Sequence, residues 1–156
     1  MMKYTIIESP DYTQVSRIGV STEPDSDPLK FFLSSIRLER FPTLLLDAAN
    51  KEGYPGDPGG LTFHGDLDGE DFAAGDGFEP GQVKVYHHVF GDAVLSEDIF
   101  LHILYDYACA VLAEYRDDAH VDEDWAARMT AAIEALGKTL PLKSPEWALE
   151  ETPARR

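Results

Sequence analysis

The stretch that decides the fold is residues 82–116, which read QVKVYHHVFGDAVLSEDIFLHILYDYACAVLAEYR. Its first part is rich in β-branched and aromatic residues, and Gly91-Asp92 provides a turn signal before the apolar residues resume, so this part predicts a β-hairpin. Ser96 then precedes the acidic pair Glu97 and Asp98, as expected at the N-cap and first turn of a helix. The stretch therefore predicts a hairpin that leads directly into a long helix.

This predicted helix, which ends at Arg116, carries one broad apolar stripe. Leu95 and Phe100 have the spacing of a hydrophobic staple across its N-terminus. Apolar side chains then recur at helical spacing, at Ile99, Phe100, Ile103, Leu104, Tyr107, Val111, Leu112 and Tyr115. The pattern places the helix at the centre of the core, and it leaves His102 on the polar side as a predicted surface residue.

Shorter elements are predicted before this stretch. Lys3–Glu8, Ser16–Thr22 and Leu61–Phe63 have the composition of short strands. Between the second and third of these strands we expect two helices. The first begins with Asp27 as N-cap and Pro28 at the first helical position. After Pro42, Thr43–Asn50 forms the second, or a kinked continuation of the first.

One more helix is predicted after residue 124, where an acidic run ends. Its apolar face is formed by Trp125, Met129, Ala132, Ile133 and Leu136, and Gly137 marks its end. The whole pattern predicts an α+β fold in which residues 1–140 form one domain, with a small, mostly antiparallel sheet covered by three or four helices. Residues 141–156 are punctuated by proline and are predicted to form a C-terminal surface tail.

The formal net charge of -16 restricts the classes of partner. Nucleic acid and anionic membranes would be repelled by this charge, whereas a basic protein would be attracted. No apolar run approaches the length of a membrane span, and the N-terminus lacks the pattern of a signal peptide. The single cysteine, Cys109, excludes a disulfide framework. These features predict a cytoplasmic protein that binds neither nucleic acid nor membrane.

Residues 53–81 differ from the rest of the chain, since they are rich in glycine and proline and contain no lysine or arginine. Apart from the strand Leu61–Phe63 we predict a long, turn-rich loop, which in a compact domain is commonly functional or mobile. The candidate contact residues in it are Asp66, Asp68, Glu70, Asp71, Phe72, Asp76, Phe78 and Glu79. The alternative is that the carboxylates are merely solvated and the two phenylalanines pack on the core. A second acidic run, residues 117–124, is expected to connect two helices.

The sequence contains no complete metal-binding or catalytic motif. Asp66, Asp68 and Glu70 alternate as in an EF-hand loop, but Asp71 stands where glycine is required and Gly77 where a bidentate glutamate is required. The chain has no G-x-S-x-G or Walker-type motif. We therefore expect no metal, no cofactor and no enzymatic activity. A small enzyme with a pair of catalytic carboxylates stays open as an alternative.

Residues 29–136 resemble the immunity proteins that bacteria pair with ribonuclease toxins of contact-dependent growth inhibition systems. The similar features are an early helix at residues 31–36, a glycine-rich loop followed by FHGDLDGE at 63–70, and a strand at 83–86. They continue with DAVLSEDIF at 92–100, which leads into a helix, and with a closing helix after an acidic break. Pro80-Gly81-Gln82 before the strand, and Ile99 in place of an acidic residue, depart from the pattern.

This resemblance implies a cytosolic immunity protein that binds a cognate toxin tightly and stoichiometrically. A ribonuclease that binds RNA has a basic cleft, and carboxylates can occupy that cleft in place of phosphates. The candidate carboxylates of residues 53–81 form the predicted contact surface, with Phe72 and Phe78 as apolar anchors. An acidic mimic of nucleic acid that inhibits another basic protein would carry the same charge, so this alternative also stays open.

Overall fold

A computed structural model describes residues 2–8, 17–56, 58–118 and 121–140. Within them the chain forms five strands and five α-helices. The strands are β1 (Lys3–Glu8), β2 (Ile18–Glu23), β3 (Gly59–Phe63), β4 (Gln82–His87) and β5 (Gly91–Ser96). The helices are α1 (Asp27–Ser34), α2 (Phe41–Ala49), α3 (Gly69–Ala73), α4 (Glu97–Tyr115) and α5 (Trp125–Gly137). The α+β class is confirmed, and the predicted tail at 141–156 lies outside the described residues.

The strands form two antiparallel sheets, which corrects the prediction of one sheet. β1 pairs with β2 along its whole length, and the second sheet has the order β3-β4-β5. Helices α1 and α4 each contact strands of both sheets. Their buried side chains, together with those of α2 and α5, form one continuous apolar core.

The central helix α4 begins and ends as predicted. Ser96 is its N-cap, and the Ser96 hydroxyl accepts the N–H of Ile99 at 3.5 Å. Leu95 and Phe100 are both buried, in keeping with a hydrophobic staple. None of the helices in the described part of the chain is long and apolar enough to span a membrane.

The surface position predicted for His102 is wrong, since this side chain is 8% exposed. The small β1–β2 sheet covers the side of α4 that the sequence pattern presents as polar. The hydroxyl of Tyr4 in β1 donates to the buried carboxylate of Asp106 at 2.5 Å, and Tyr107 donates to the carbonyl of Ile18 in β2 at 2.6 Å. The polar groups of α4 therefore attach a sheet to the helix instead of facing water.

Two local boundaries also differ from the predictions. The hairpin turn is His88–Phe90, and Gly91-Asp92 already belongs to β5, where Gly91 pairs with His87 and has φ 86°. A three-residue loop closed by a residue in the left-handed region explains this shift. Helix α1 begins one residue earlier than predicted, with Ser26 as its N-cap.

Helix α2 begins at Phe41, so that Pro42 lies in its first turn, where no helical hydrogen bond is lost. Helix α5 follows the prediction closely. Trp125, Met129, Ala132, Ile133 and Leu136 are all buried, and Gly137 is the last helical residue.

Candidate functional site

The acidic stretch from residue 64 to residue 79, called the acidic segment below, contains more regular structure than the predicted loop. A 3-10 turn at His64–Asp66 follows β3, and α3 covers Gly69–Ala73. One carboxylate oxygen of Asp66 accepts the backbone N–H of Phe63 at 2.7 Å. The prediction of a loop is wrong here because side chains of the acidic residues themselves supply the hydrogen bonds that fold these short elements.

Asp68 and Asp71 form a reciprocal cap at the start of α3. The N–H of Asp71 donates to the Asp68 carboxylate at 3.0 Å, and the N–H of Asp68 donates to the Asp71 carboxylate at 2.8 Å. Each carboxylate is thereby fixed in direction while it keeps further lone pairs for other donors. The caps turn two of the predicted contact residues into rigid negative groups.

The other predicted contact residues divide by exposure. Glu70, Asp76 and Glu79 are exposed, and within the described ranges no lysine or arginine forms an ion pair with any carboxylate of the acidic segment. Phe72 is 53% exposed, whereas Phe78 is 8% exposed. The two rings lie edge-on to His64, at centroid distances of 6.1 Å and 6.2 Å. Phe72 alone of the two presents most of its ring to solvent.

The acidic segment forms one side of a cleft of about 790 Å³. The opposite side is the outer face of the β3-β4-β5 sheet, where Thr62 pairs with Lys84 and Tyr86 pairs with both Gly60 and Asp92. The lining residues are Glu52, Gly53, Pro55, Leu61, Thr62, Asp66, Leu67, Asp71, Asp76, Phe78, Lys84, Tyr86 and Asp92. This volume is within the usual range for ligand-binding clefts.

Two glycines allow the walls of the cleft to approach each other. A Cβ atom at residue 53 would lie 2.7 Å from the carboxylate of Asp66, and one at residue 60 would lie 2.4 Å from the hydroxyl of Tyr86. Both distances are shorter than van der Waals contact, so any other residue would displace these side chains. Gly53 and Gly60 therefore place Asp66 and Tyr86 in the cleft.

The charges that line the cleft are mostly negative. Within the described part of the chain, its lining includes five carboxylates and one cation, Lys84, whose Nζ lies 3.8 Å from a carboxylate oxygen of Asp92. Near the cleft, burial raises the pKa of Asp47 in helix α2. The negative charge of Glu52, which lines the cleft, adds a smaller contribution in the same direction. The cleft therefore attracts cations.

These carboxylates are dispersed around the cleft. In the described ranges no group of three or more His, Cys, Asp or Glu side chains is arranged to hold a metal ion. The arrangement suits a ligand with several separate positive groups better than a single metal ion.

The second acidic run, residues 117–124, differs from the acidic segment because arginine side chains contact its carboxylates. The guanidinium of Arg17 contacts Glu114 at 2.7 Å and Asp118 at 3.2 Å, and it lies over the ring of Tyr115 at 4.3 Å. Hydrogen bonds to Glu114 and Asp118 raise the pKa of Arg17. Arg128 lies 3.8 Å from Asp122 and 3.5 Å from Asp124. Neighbouring arginines thus partly neutralise this run.

The tip of the β4–β5 hairpin forms an apolar cluster that the sequence did not indicate. The Phe31 and Phe90 rings stack with centroids 3.9 Å apart, and the buried ring of His87 lies 5.1 Å from Phe90. The Nδ1 atom of His87 accepts the N–H of Val89 at 3.1 Å. Burial, followed by the neighbouring His88, lowers the pKa of His87, which favours its neutral form.

No protein-family model, curated protein or solved structure matches this chain. The resemblance to immunity proteins therefore stays a prediction.

Proposed function

We propose that this chain is an immunity protein that binds a basic bacterial toxin domain of the nuclease class and blocks its active site stoichiometrically. The observation that carries the proposal is the acidic segment. Backbone N–H groups fix the carboxylates of Asp66, Asp68 and Asp71, and no lysine or arginine of the described residues forms an ion pair with any carboxylate of the segment. A protein with a formal net charge of -16 that leaves such groups uncompensated favours a basic partner.

Rigid carboxylates suit this task for two reasons. They lose little conformational entropy when a partner binds, because Asp66, Asp68 and Asp71 are already held in place. They also steer a basic partner during diffusion, which raises the rate of association at physiological salt. Fast association matters for an inhibitor that must bind a nuclease before it cleaves cellular RNA or DNA.

Phe72 provides the apolar part of the proposed contact. Its ring is 53% exposed beside the carboxylates of α3, and burial of an aromatic ring at the centre of an interface is a common source of affinity. Phe78 is buried and lines the cleft, so its contribution is to shape the surface.

A titration of nuclease activity tests the proposal. The protein encoded by the gene directly upstream is assayed for nuclease activity at fixed concentration, and the purified chain is added in increasing amounts. We expect activity to fall linearly to zero with a break at one equivalent. Full nuclease activity at a tenfold molar excess of the chain would overturn the proposal.

A further inference from the structure

The outer face of the β3-β4-β5 sheet is more exposed than the face that packs on the core. Tyr86 and Lys84 of β4 are half-buried on this face, and Val94 of β5 is 45% exposed. The opposite face, which includes Val83 and Val85, is buried in the core. The acidic segment extends beside the open face and makes it one wall of the cleft described above.

From this arrangement we propose that the cleft receives a segment of the basic partner that carries arginine side chains. This inference rests on the proposed function and names the chemistry by which the partner is held. Charge complementarity identifies the occupant, because the cleft combines carboxylates on several elements with a partly apolar floor formed by Phe78 and Tyr86.

Arginine fits the cleft better than lysine does. A guanidinium is planar, stacks on aromatic rings and donates two parallel hydrogen bonds to a carboxylate. The Tyr86 ring, which lies across Gly60, provides the aromatic surface, and Asp92 is its partner in β5. Asp76 stands on the opposite side, exposed, with no hydrogen bond or ion pair from its carboxylate to the described residues.

Lys84 provides an internal test of the same idea. Its ammonium group already lies in the cleft near Asp92, so it competes with an incoming cation. Removal of this charge is expected to strengthen the binding of a basic segment. An acidic surface that acted only through its total charge would show no such dependence on the position of the lysine.

The binding experiment uses the free chain and a fluorescein-labelled peptide with three arginines separated by glycines, followed by fluorescence polarisation. The cleft variant is Asp76→Asn with Asp92→Asn, and the matched control is Asp117→Asn with Glu123→Gln, which removes the same charge elsewhere. We expect the cleft variant to bind about tenfold more weakly and the control to change about twofold or less. Lys84→Met should bind several-fold more tightly, and Lys138→Met should not.

The preference for arginine is measured with the same peptide in which lysine replaces each arginine. We expect the unmodified chain to prefer arginine, and Tyr86→Leu to reduce that preference. Circular dichroism confirms that each variant is folded. If Tyr86→Leu does not fold, the two charge pairs and the two lysine variants still decide the result.

Equal weakening by the cleft pair and the control pair would overturn the inference, because the peptide would then sense only the overall charge. That result is distinct from failure of the proposed function. Selective peptide binding without inhibition of the toxin would leave the cleft intact as a site for basic segments and remove the immunity role. Inhibition of the toxin without selective peptide binding would overturn the inference about the cleft and leave the immunity role intact.

Discussion

The two acidic regions of this molecule hold their carboxylates in different ways. In the acidic segment, Asp66, Asp68 and Asp71 accept hydrogen bonds from backbone N–H groups. Around the α4–α5 connection, Glu114, Asp118, Asp122 and Asp124 contact the side chains of Arg17 and Arg128. A backbone amide orients a carboxylate and leaves its charge in place, whereas an arginine neutralises it. Equal density of acidic residues in a sequence therefore does not mean equal electrostatic potential.

The largest expected effect comes from charge reversal in the two regions. The variant Glu70→Lys, Asp76→Lys and Glu79→Lys changes exposed carboxylates of the acidic segment that form no cap. We expect it to weaken toxin binding about 100-fold, because like charges then face the basic partner. Surface plasmon resonance measures the dissociation constant.

The matched control is Asp117→Lys, Glu123→Lys and Glu134→Lys, which produces the same net charge outside the acidic segment. We expect it to weaken binding about fivefold or less through the long-range field. If both triple variants lost affinity to the same extent, the distinction between the two regions would be wrong.

A smaller effect is expected on stability when the caps of the acidic segment are removed. Asp68→Ala deletes the acceptor for the N–H of Asp71 at the start of α3. We expect a loss of about 1 kcal/mol, which is typical for an N-cap, confined to the local stability of α3. Hydrogen exchange of the α3 amides measures it. Asp68→Asn retains the acceptor and should exchange almost as the unmodified chain does; equally fast exchange in both variants would argue against the cap.

The ion pairs of the other region should contribute less. Arg17→Met removes the contacts with Glu114 and Asp118, and the Arg17 side chain is 51% exposed, so solvent screens these pairs. We expect a loss of about 0.5 kcal/mol in the free energy of unfolding, and the difference should disappear in 1 M salt. Urea denaturation at low and high salt measures it. A loss that persists at high salt would indicate that the packing on Tyr115 dominates.

The tip of the β4–β5 hairpin lies outside both acidic regions, and His87 in it should make the stability of the fold depend on pH. Because the pKa of His87 is lowered in the folded state, the unfolded chain takes up a proton first as the pH falls below about 6.5. The stability that neutral His87 contributes is thus complete above that pH and is lost on acidification. His87→Asn, which keeps an acceptor for Val89, should flatten the melting temperature between pH 7 and pH 5 relative to His88→Asn. Identical profiles for the two variants would contradict this assignment.

Much of the fold followed from local patterns in the sequence. Ser96 identified the start of α4, and the spacing of Trp125, Met129 and Leu136 identified the buried face of α5. These signals are local, since a cap and an amphipathic face depend on residues only a few positions apart.

Two of the errors concern contacts between distant residues. His102 is buried in α4, a helix that β1 and β2 from the other end of the chain contact. The cleft depends on the pairing of Gly60 with Tyr86, which joins two separate segments of the chain. The acidic residues of the site could be named from the sequence, but the sheet face opposite them could not. The capping pair Asp68 and Asp71 had a local signal, an acidic residue three positions after an N-cap residue, that would have identified α3.

Calorimetric titration of the purified chain with the product of the upstream gene tests the central claim most directly. We predict a 1:1 complex with nanomolar or tighter affinity that weakens as salt rises from 50 to 500 mM, since carboxylates facing a basic surface dominate the contact. Absence of binding at micromolar concentrations would contradict the immunity role. Tight binding that does not depend on salt would contradict the role of the acidic segment.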